Sequence, residues 1–292
     1  MFNPFKAFGA GARSAHSVAA GQPAPTSNWH LDQLAIGVPG GDTLVSLDTR
    51  IEAGRVTAIV GPNGAGKSSL LSTMTGQWQP HGGQLFFDGV PLSRWTSEQL
   101  AQRRAMMMQD GGVAFDFTVQ EVVELGRYTH RLRPSTDEAG IVARAMALTE
   151  VSQFAERSVR TLSGGERART HLARVLAQLW EPAACGGARW LLLDEPTAAM
   201  DLAWQHQTMA LLRERAHGEQ SAGAGLGVIA VVHDMNLALR YADDVLLVHG
   251  GSCLHGPVHE VLTPEVIARV WGVGCYAAQA PDGTAQYLFA QH

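Results

Sequence analysis

Buried strands are indicated by short runs of apolar residues at three places in the chain. The runs are Thr57–Val60, Trp190–Leu193 and Val228–Val232, each of strand length and each accompanied by a segment with helical character. Because strands and helices alternate in this order, the pattern predicts an α/β protein with a largely parallel sheet. No apolar run approaches the roughly 18 consecutive residues that a membrane-spanning helix requires. If the protein serves a membrane, we expect it to do so through partners.

Other patterns predict parts that depart from a parallel sheet. Gln84–Phe87, followed by the turn Asp88-Gly89, predicts one arm of a hairpin and therefore an antiparallel element beside the core. Helical patterns at Val119–Arg127 and Glu138–Leu148 differ in character from the segments around them. We interpret them as a helical subdomain inserted into the core at about residues 110–162.

These patterns divide the chain into three predicted parts. Residues 1–28 are rich in Ala, Gly, Pro and Ser and lack the unbroken apolar stretch of a signal peptide, which predicts a disordered leader. Residues 29–262 are predicted to form the main domain, with the helical subdomain inside it. Residues 263–292 are predicted to form an appendage with a helix near Pro264–Trp271 and a hairpin around 281–283.

Composition narrows the functional classes. The chain has 292 residues, a formal net charge of −5 and no block of like charges, so nothing indicates a general nucleic-acid binder. Cys185, Cys253 and Cys275 form no CxxC pair, which predicts free thiols in a reducing compartment. Of the 22 basic residues, only Lys6 and Lys67 are lysines.

A glycine-rich segment between a predicted strand and a predicted helix matches the pattern GxxxxGK[ST]. Its glycines let successive backbone N–H groups turn inward as an anion nest, and the following helix adds its positive N-terminal end. Lys67 supplies a compact ammonium for the β- and γ-phosphates, and the Ser68 hydroxyl is a ligand for Mg²⁺. In a chain that uses arginine almost everywhere, lysine here favours a phosphate site over a chance turn. The predicted contacts with the triphosphate are Gly61, Pro62, Asn63, Gly64, Ala65, Gly66, Lys67, Ser68 and Ser69.

Two carboxylates and a histidine follow the other two apolar runs. Asp194 and Glu195 come directly after one run, and His233 comes directly after the other. Because ligands bind at the carboxyl ends of parallel strands, we expect these side chains beside the phosphate site. Adjacent carboxylates indicate divided work: Asp194 holds Mg²⁺, and Glu195 orients and polarises the attacking water. His233 is predicted to hydrogen-bond the γ-phosphate. Each residue alone is more often a cap or a solvated side chain, and it is the combination that favours hydrolysis.

Leu162-Ser-Gly-Gly-Glu166, at a predicted helix start, resembles the signature of ABC ATPases. Ser163, Gly164, Gly165 and Glu166 are predicted to form a second anion nest at a helix N-terminus. The glycine-rich loop Gly61–Ser68, here called the cradle, already supplies donors to the phosphates that it binds. A second nest therefore indicates that the chain also contacts the phosphates held by a second subunit. The resemblance implies a P-loop NTPase core of RecA-like fold and a head-to-tail homodimer in which each signature closes over the partner's ATP.

The resemblance covers nearly everything from about Trp29 onward. It implies that Gln109 senses Mg²⁺ and the attacking water, and that Asp201 contacts ATP at the opposite subunit. The chain also departs from the family in several places. Where relatives usually carry an aromatic residue that stacks on adenine, this chain has Ile36–Val38, and Trp29 lies too far upstream to replace it. Arg167-Ala168-Arg169 follows the signature where Gln-Gln-Arg-like sequences are common.

Within this family, the chain most resembles the ATPases of bacterial haem importers, in the larger group that also moves iron–siderophores and vitamin B12. The segments that carry this likeness are 115–127, 172–180, 233–242 and 261–264. The resemblance implies ATP and Mg²⁺ as cofactors, and ATP hydrolysis that energises haem import. It further implies integral membrane permease subunits, an indirect link to a periplasmic substrate-binding protein, no nucleic acid, and a peripheral position on the cytoplasmic face of the bacterial inner membrane. A coupling helix of the permease is expected to dock near Gln109.

Three alternatives remain open. The same ATPase role could serve iron–siderophore or cobalamin import, because the segments that indicate haem are less specific than the ATPase motifs. A soluble ABC ATPase acting on DNA or ribosomes would normally show a long coiled-coil insertion or two tandem ATPase units, and this chain shows neither. A P-loop kinase would lack the signature and the Asp194-Glu195 pair.

Overall fold

The computed structural model describes residues 28–108, 116–183, 186–218 and 225–290. The predicted leader lies outside these ranges except for Asn28, which opens the first strand. A ten-stranded mixed sheet has the spatial order β5-β4-β1-β2-β10-β9-β3-β8-β7-β6. Its strands are β1 (Asn28–Gly37), β2 (Thr43–Glu52), β3 (Val56–Val60), β4 (Gly82–Phe87), β5 (Val90–Pro91), β6 (Arg104–Met107), β7 (Arg189–Leu193), β8 (Leu226–Val231), β9 (Asp244–His249) and β10 (Ser252–Pro257).

Five neighbouring strands, β9, β3, β8, β7 and β6, are mutually parallel. The three predicted apolar runs form β3, β7 and β8, and every residue of these strands is buried. Strands covered on both faces by helices are expected to read as continuous apolar runs. The predicted α/β class is therefore confirmed. The helices are α1 (Lys67–Met74), α2 (Ser97–Arg103), α3 (Val119–Leu125), α4 (Glu138–Leu148), α5 (Gly164–Gln178), α6 (Leu202–Gly218), α7 (Met235–Tyr241), α8 (Val258–Val261) and α9 (Pro264–Trp271).

The other end of the sheet is antiparallel, as the hairpin pattern predicted. Strand β1 lies between β2 and β4, and β5 pairs with β4 through the turn Asp88-Gly89. Both turn residues have positive φ, 51° and 73°, which is the conformation of the two-residue type I′ turns that close hairpins. Trp29 is fully buried in this part, 4.5 Å from the ring of Phe87 and 6.2 Å from that of Trp190.

Alternate residues of the central strands enter two separate cores. Val56, Ala58 and Val60 pack with the apolar residues of α5, α6 and α7 on one face of the sheet. Ile59 points to the other face, where the core includes residues of α1 and of the antiparallel strands. The period of two in a strand therefore decides which helices each residue contacts. Helix α1 is held close beneath β1 by this second core.

The predicted helical insertion contains α3, a 3₁₀ helix at Gly126–His130 and α4, and its core also includes residues of α5. The α-helix predicted over Val119–Arg127 ends at Leu125, and the chain then continues as the 3₁₀ helix. A capping box between Thr118 and Glu121 begins α3. Residues 110–115 of the predicted insertion lie outside the described ranges.

The C-terminal segment contains the predicted helix, α9, and the predicted hairpin, formed by β11 (Gly274–Gln279) and β12 (Ala285–Ala290). The Tyr287 hydroxyl donates a hydrogen bond to the Leu262 carbonyl at 2.6 Å, and Tyr287 shares the core of α5 to α7. Arg240 of α7 pairs with Asp282 in the hairpin turn. The division into a leader, a main domain and an appendage remains a prediction.

Candidate nucleotide-binding site

The glycine-rich loop connects the end of β3 to the start of α1. Gly61, Gly64 and Gly66 have φ values of 153°, 76° and 103°, a region of backbone conformation that favours glycine. A Cβ atom on Gly61 would also lie 2.2 Å from the Val248 carbonyl oxygen. The three glycines predicted to shape a nest are thus the residues whose backbone conformation requires glycine.

Lys67, the first residue of α1, is buried beneath this loop. Its Nζ donates hydrogen bonds to the carbonyls of Gly61 at 2.9 Å and Pro62 at 3.0 Å. Burial lowers the pKa of the Lys67 ammonium, while the nearby charges of Glu195 and Asp194 raise it. The ammonium is therefore held against the backbone of the loop. A phosphate bound in the same loop would lie within its reach.

The other residues of the predicted cradle occupy the same loop and the first turn of α1. The Ala65 N–H donates to the Pro62 carbonyl at 3.3 Å and tightens the loop. Asn63 is exposed at the tip, Ser68 is exposed, and Ser69 is buried against the core. Among these residues, Ser68 is the one whose hydroxyl faces a carboxylate.

Ser68 and Asp194 form a pair of oxygen ligands. The Ser68 hydroxyl donates a hydrogen bond to Asp194 Oδ1 at 3.2 Å. Asp194 lies directly after β7 and is 7% exposed. Burial raises the pKa of its carboxyl group, and the Ser68 hydrogen bond lowers it. A hydroxyl and a carboxylate at this separation match the hard oxygen ligands that Mg²⁺ prefers.

Glu195 and His233 are in direct contact. His233 Nε2 lies 2.5 Å from Glu195 Oε1. Strands β7 and β8 are neighbours in the parallel sheet, so the residues that follow them meet at one edge. Glu195 has a φ of 52°, in the left-handed region that non-glycine residues rarely adopt. A carboxylate beside an imidazole can accept a proton from a water molecule, and the imidazole can bind an anion.

The LSGGE segment begins α5 and is built as a capping box. The Ser163 hydroxyl accepts a hydrogen bond from the Glu166 N–H at 3.3 Å, and Glu166 Oε2 accepts one from the Ser163 N–H at 2.8 Å. The bond from the Ser163 backbone lowers the pKa of Glu166. The N–H groups of Gly164 and Gly165 are at the first two helical positions, where a helix offers no acceptor.

The signature lies against residues 199–200 and apart from the cradle of the same chain. Cβ atoms on Gly164 and Gly165 would lie 3.1 Å from the Ala199 side chain and 3.2 Å from the Ala199 carbonyl oxygen. Within the described parts of the chain, no hydrogen bond or ion pair joins residues 163–166 to residues 61–69. Asp201 Oδ1 accepts a hydrogen bond from the Trp204 N–H at 3.0 Å, at the start of α6. Gln109 lies outside the described residues.

The profile of the ABC transporter family matches residues 44–198, which include the cradle, the signature and the Asp194-Glu195 pair. This chain belongs to the ABC transporter family. Curated relatives of the ABC chain include the hemin import ATP-binding protein HmuV of Myxococcus xanthus, 45% identical over 82% of this chain and 88% of the relative. The HmuV protein of Escherichia coli O157:H7 is 40% identical over 82% of this chain and 90% of that protein.

Solved structures agree with the fold of an ABC ATPase. A metal-chelate type ABC transporter in an inward-facing conformation aligns with a TM-score of 0.72, at 24% identity, over 90% of this chain and 97% of that chain. The protein cbiO1 from Clostridium perfringens, part of the ABC transporter complex cbiONQ, aligns with a TM-score of 0.65, at 26% identity, over 84% of this chain and 94% of that chain. In the portion of our ABC chain that is described, every helix is too short or too polar to cross a membrane.

Several supporting residues of this ABC ATPase were not predicted from the sequence. The Val248 carbonyl closes the space beside Gly61, and residue 199 packs on the signature glycines. Arg169, which is buried, stacks on the ring of Trp204 at 3.6 Å and donates to the Glu150 carbonyl at 3.0 Å. These partners are far apart in sequence, and no local pattern indicates them. At the predicted adenine position, Ile36 is buried and Val38 is 49% exposed, and neither is aromatic.

Proposed function

We propose that this chain is the ATP-binding and ATP-hydrolysing subunit of an ABC importer that energises haem import through a membrane permease. One observation supports the ATPase role above all: the cradle, Asp194, Glu195 and His233 converge at one edge of the parallel sheet. The proposal of haem as cargo rests on the similarity to HmuV proteins, which are named as hemin import ATP-binding proteins.

The proposed roles follow from the contacts. Lys67 leaves the carbonyls of Gly61 and Pro62 to bind the β- and γ-phosphates, which supply a full negative charge in place of two partial ones. Ser68 and Asp194, together with Gln109, are the residues that would hold Mg²⁺, which would neutralise charge on the phosphates. The remaining cradle residues, Gly61 to Gly66 and Ser69, donate backbone N–H groups or shape the loop.

The proposed water-activating residue is Glu195, with His233 as its partner. His233 exchanges its contact with Glu195 for a hydrogen bond to the γ-phosphate, and the Glu195 carboxylate accepts a proton from the attacking water. Gln109 orients the same water. The positive φ of Glu195 supports this role, because backbone strain concentrates at sites where a side chain must take a particular direction.

We also propose that the active form is a head-to-tail homodimer. The amides of Gly164 and Gly165 point out of the N-terminus of the 15-residue helix α5 and need an acceptor. Since the described residues show no hydrogen bond or ion pair between this terminus and the cradle of the same chain, the ATP of a second copy is the acceptor that we propose. Asp201, which is exposed, would meet the other subunit beside that ATP.

A groove between the core and the helical insertion is the proposed docking site of the permease. It has a volume of about 890 Å³ and is lined by residues of α2, the 3₁₀ helix and the 181–182 turn. Leu125, Tyr128 and Leu132 of the insertion are 45%, 62% and 72% exposed, so their apolar side chains are accessible to a partner. We propose that they contact a coupling helix and thereby hold the ATPase at the cytoplasmic face of the inner membrane, with a periplasmic substrate-binding protein acting from the other side.

Reconstitution with the cognate permease in liposomes tests the cargo. Three receptor proteins are added in separate experiments, one loaded with haem, one with an iron–siderophore and one with cobalamin. ATP hydrolysis is measured with each receptor. We expect haem-loaded receptor to stimulate hydrolysis and the other two to leave it at the basal rate. Stimulation only by a receptor for another cargo would contradict haem import while leaving the ATPase role intact. The Glu195→Gln chain is the control that removes hydrolysis under every condition.

A further inference from the structure

A second cluster of metal-ligating side chains lies in the antiparallel part of the sheet, and the ATPase mechanism does not use it. His30, Asp32 and Asp48 each offer one ligand atom, and these three atoms all lie within 4.8 Å of one another. His30 and Asp32 are two residues apart on β1 and therefore point to the same face. The alternate residue Leu31 is buried in the core shared with α1, so the cluster occupies the opposite face of the sheet from α1.

A β-bulge brings the two carboxylates together. Leu31 pairs with Thr49 and Leu34 pairs with Leu47, so Asp32 and Gln33 together lie opposite Asp48 alone. Gln33 takes a positive φ of 45° at this bulge. Without the extra residue, β1 and β2 would pair in a different register. Other side chains of β1 would then lie beside those of β2. The bulge thus places an aspartate from each strand beside the imidazole of His30.

No cation among the described residues pairs with either carboxylate. The side chains of Asp32 and Asp48 form no ion pair or hydrogen bond with any residue in the four described ranges. Arg50 lies opposite His30 in the register of β1 and β2, yet it makes no ion pair with either aspartate. Like charges at this separation repel, and a shared cation would remove the repulsion.

The imidazole is held in place by an aromatic neighbour. The ring of His30 stacks on that of Phe86, with the centroids 5.5 Å apart and the planes at 22°. This contact restricts the rotation of the ring and leaves its edge, which carries both nitrogen atoms, toward other ligands. His30 and Asp32 are half-buried, and Asp48 is exposed. Water can therefore reach the remaining coordination positions.

We propose that His30, Asp32 and Asp48 form a binding site for a divalent transition-metal ion of the Zn²⁺ class. One imidazole nitrogen and two carboxylate oxygens are ligands that Zn²⁺ accepts, at bond lengths of about 2.0 to 2.2 Å, with water as a fourth ligand. Two ligands on one ion are at most about 4.4 Å apart at these bond lengths, so small side-chain rotations bring the three atoms to bonding distance. The site is independent of the proposed haem transport.

Calorimetric titration of Zn²⁺ into the full nucleotide-free chain, after treatment with a chelator and its removal, tests the site. The native chain is expected to bind one equivalent that depends on these residues. His30→Ala and Asp48→Asn should each weaken that binding at least about tenfold. His217→Ala is the matched control, because His217 also contacts a carboxylate, Asp243 at 2.9 Å, but belongs to no three-ligand cluster among the described residues. It should bind Zn²⁺ as the native chain does.

The same variants are compared by thermal unfolding with Zn²⁺ and with EDTA. Zn²⁺ is expected to raise the melting temperature of the native chain and of Asp194→Asn, and EDTA should reverse the rise. Asp48→Asn, which keeps the shape of the side chain, should melt like the native chain in EDTA and show no rise with Zn²⁺. Equal Zn²⁺ binding by Asp48→Asn and the native chain would overturn the proposal. The proposal would also be overturned if Asp194→Asn abolished the rise in melting temperature with Zn²⁺, because the ion would then occupy the ATP site.

Discussion

The cradle and the signature are both glycine-rich segments before a helix, yet their glycines serve different physical needs. In the cradle, Gly61, Gly64 and Gly66 all have positive φ, and the loop turns back on itself around Lys67. In the signature, Gly164 and Gly165 are ordinary helical residues, absent from the positions with positive φ. What favours glycine there is residue 199, against which an added Cβ would be tightly packed at 3.1 to 3.2 Å.

We infer from this difference that the cradle is built within one chain, whereas the signature needs an acceptor from another molecule. The cradle has a cation and a hydroxyl of its own, the hydroxyl bonds to Asp194, and the charge of Glu195 also acts on the cation. The signature has a capping box that rigidifies a helix terminus and presents two amides, and in the described chain no cationic side chain forms a hydrogen bond or ion pair with residues 163–166. We infer that the signature is a preformed lid for a phosphate that is bound elsewhere.

Replacement of Glu195 by glutamine gives the largest expected effect on this comparison. Removing the proton acceptor should lower kcat by about 10³-fold, within the range for general bases, while ATP still binds. The cradle and the partner's signature should then stay closed on ATP, and a dimer should accumulate in size-exclusion chromatography with ATP. Turnover at the native rate would show that Glu195 is not the base.

Lys67→Ala tests whether the cradle is complete in one chain. Loss of the buried ammonium removes charge-assisted hydrogen bonds to phosphate, so ATP affinity should fall by about 10²-fold, equivalent to about 2.7 kcal/mol. The measurement is titration with a fluorescent ATP analogue at a protein concentration too low for dimerisation. Lys6→Ala, at the other lysine of the chain, is the control and should bind normally.

A pair of alanine substitutions separates the two kinds of glycine. Gly64→Ala meets open space but must keep a φ of 76°, at a cost of about 1 to 2 kcal/mol, so it should weaken ATP binding about tenfold. Gly165→Ala keeps its helical φ but pushes against the Ala199 carbonyl. It should leave ATP affinity unchanged and lower kcat about tenfold. If both variants lowered ATP affinity, or both lowered only kcat, the glycines of the cradle and of the signature would not serve different needs.

Ser163→Ala should have a smaller effect, on stability. Loss of the N-cap hydrogen bond to the Glu166 N–H is expected to cost about 1 kcal/mol in the free energy of unfolding. Urea unfolding, monitored by circular dichroism, measures this. Ser163→Thr keeps a hydroxyl and should restore most of the loss. ATP binding to the isolated cradle should be the same in all three chains.

The smallest expected effect is a pH dependence of the capping box. The pKa of Glu166 is lowered in the folded chain, first by its bond from the Ser163 N–H. A carboxyl group with a lowered pKa stabilises the fold above its unfolded pKa, and this contribution is lost as the pH falls through the folded pKa. The stability difference between the native chain and Glu166→Gln should therefore be present near about pH 7 and shrink in acid. A difference that is constant with pH would contradict the box.

Much of the nucleotide site was predictable because its residues are adjacent in sequence. The motif GxxxxGK[ST] contains the loop, the lysine and the hydroxyl in consecutive residues that end at a helix start. Local backbone geometry is therefore enough to bring most of the cradle together. The three buried runs were equally readable, since strands covered on both faces are apolar throughout. The end of the helix predicted over Val119–Arg127 was less exact, because Gly126 allows a change to 3₁₀ geometry without any mark in the apolar pattern.

The class of the fold, the glycine-rich loop and the helix start at the LSGGE segment could therefore be predicted from the chain, because each depends on residues within a few positions of one another. Tertiary structure alone decided the contacts of Asp194 with Ser68, of Glu195 with His233 and of Gly165 with residue 199. It also decided the meeting of His30 with Asp48, which needs one particular strand register and one bulge. Such contacts join residues that the order of strands in the sheet brings together, and neither spacing nor composition contains that order.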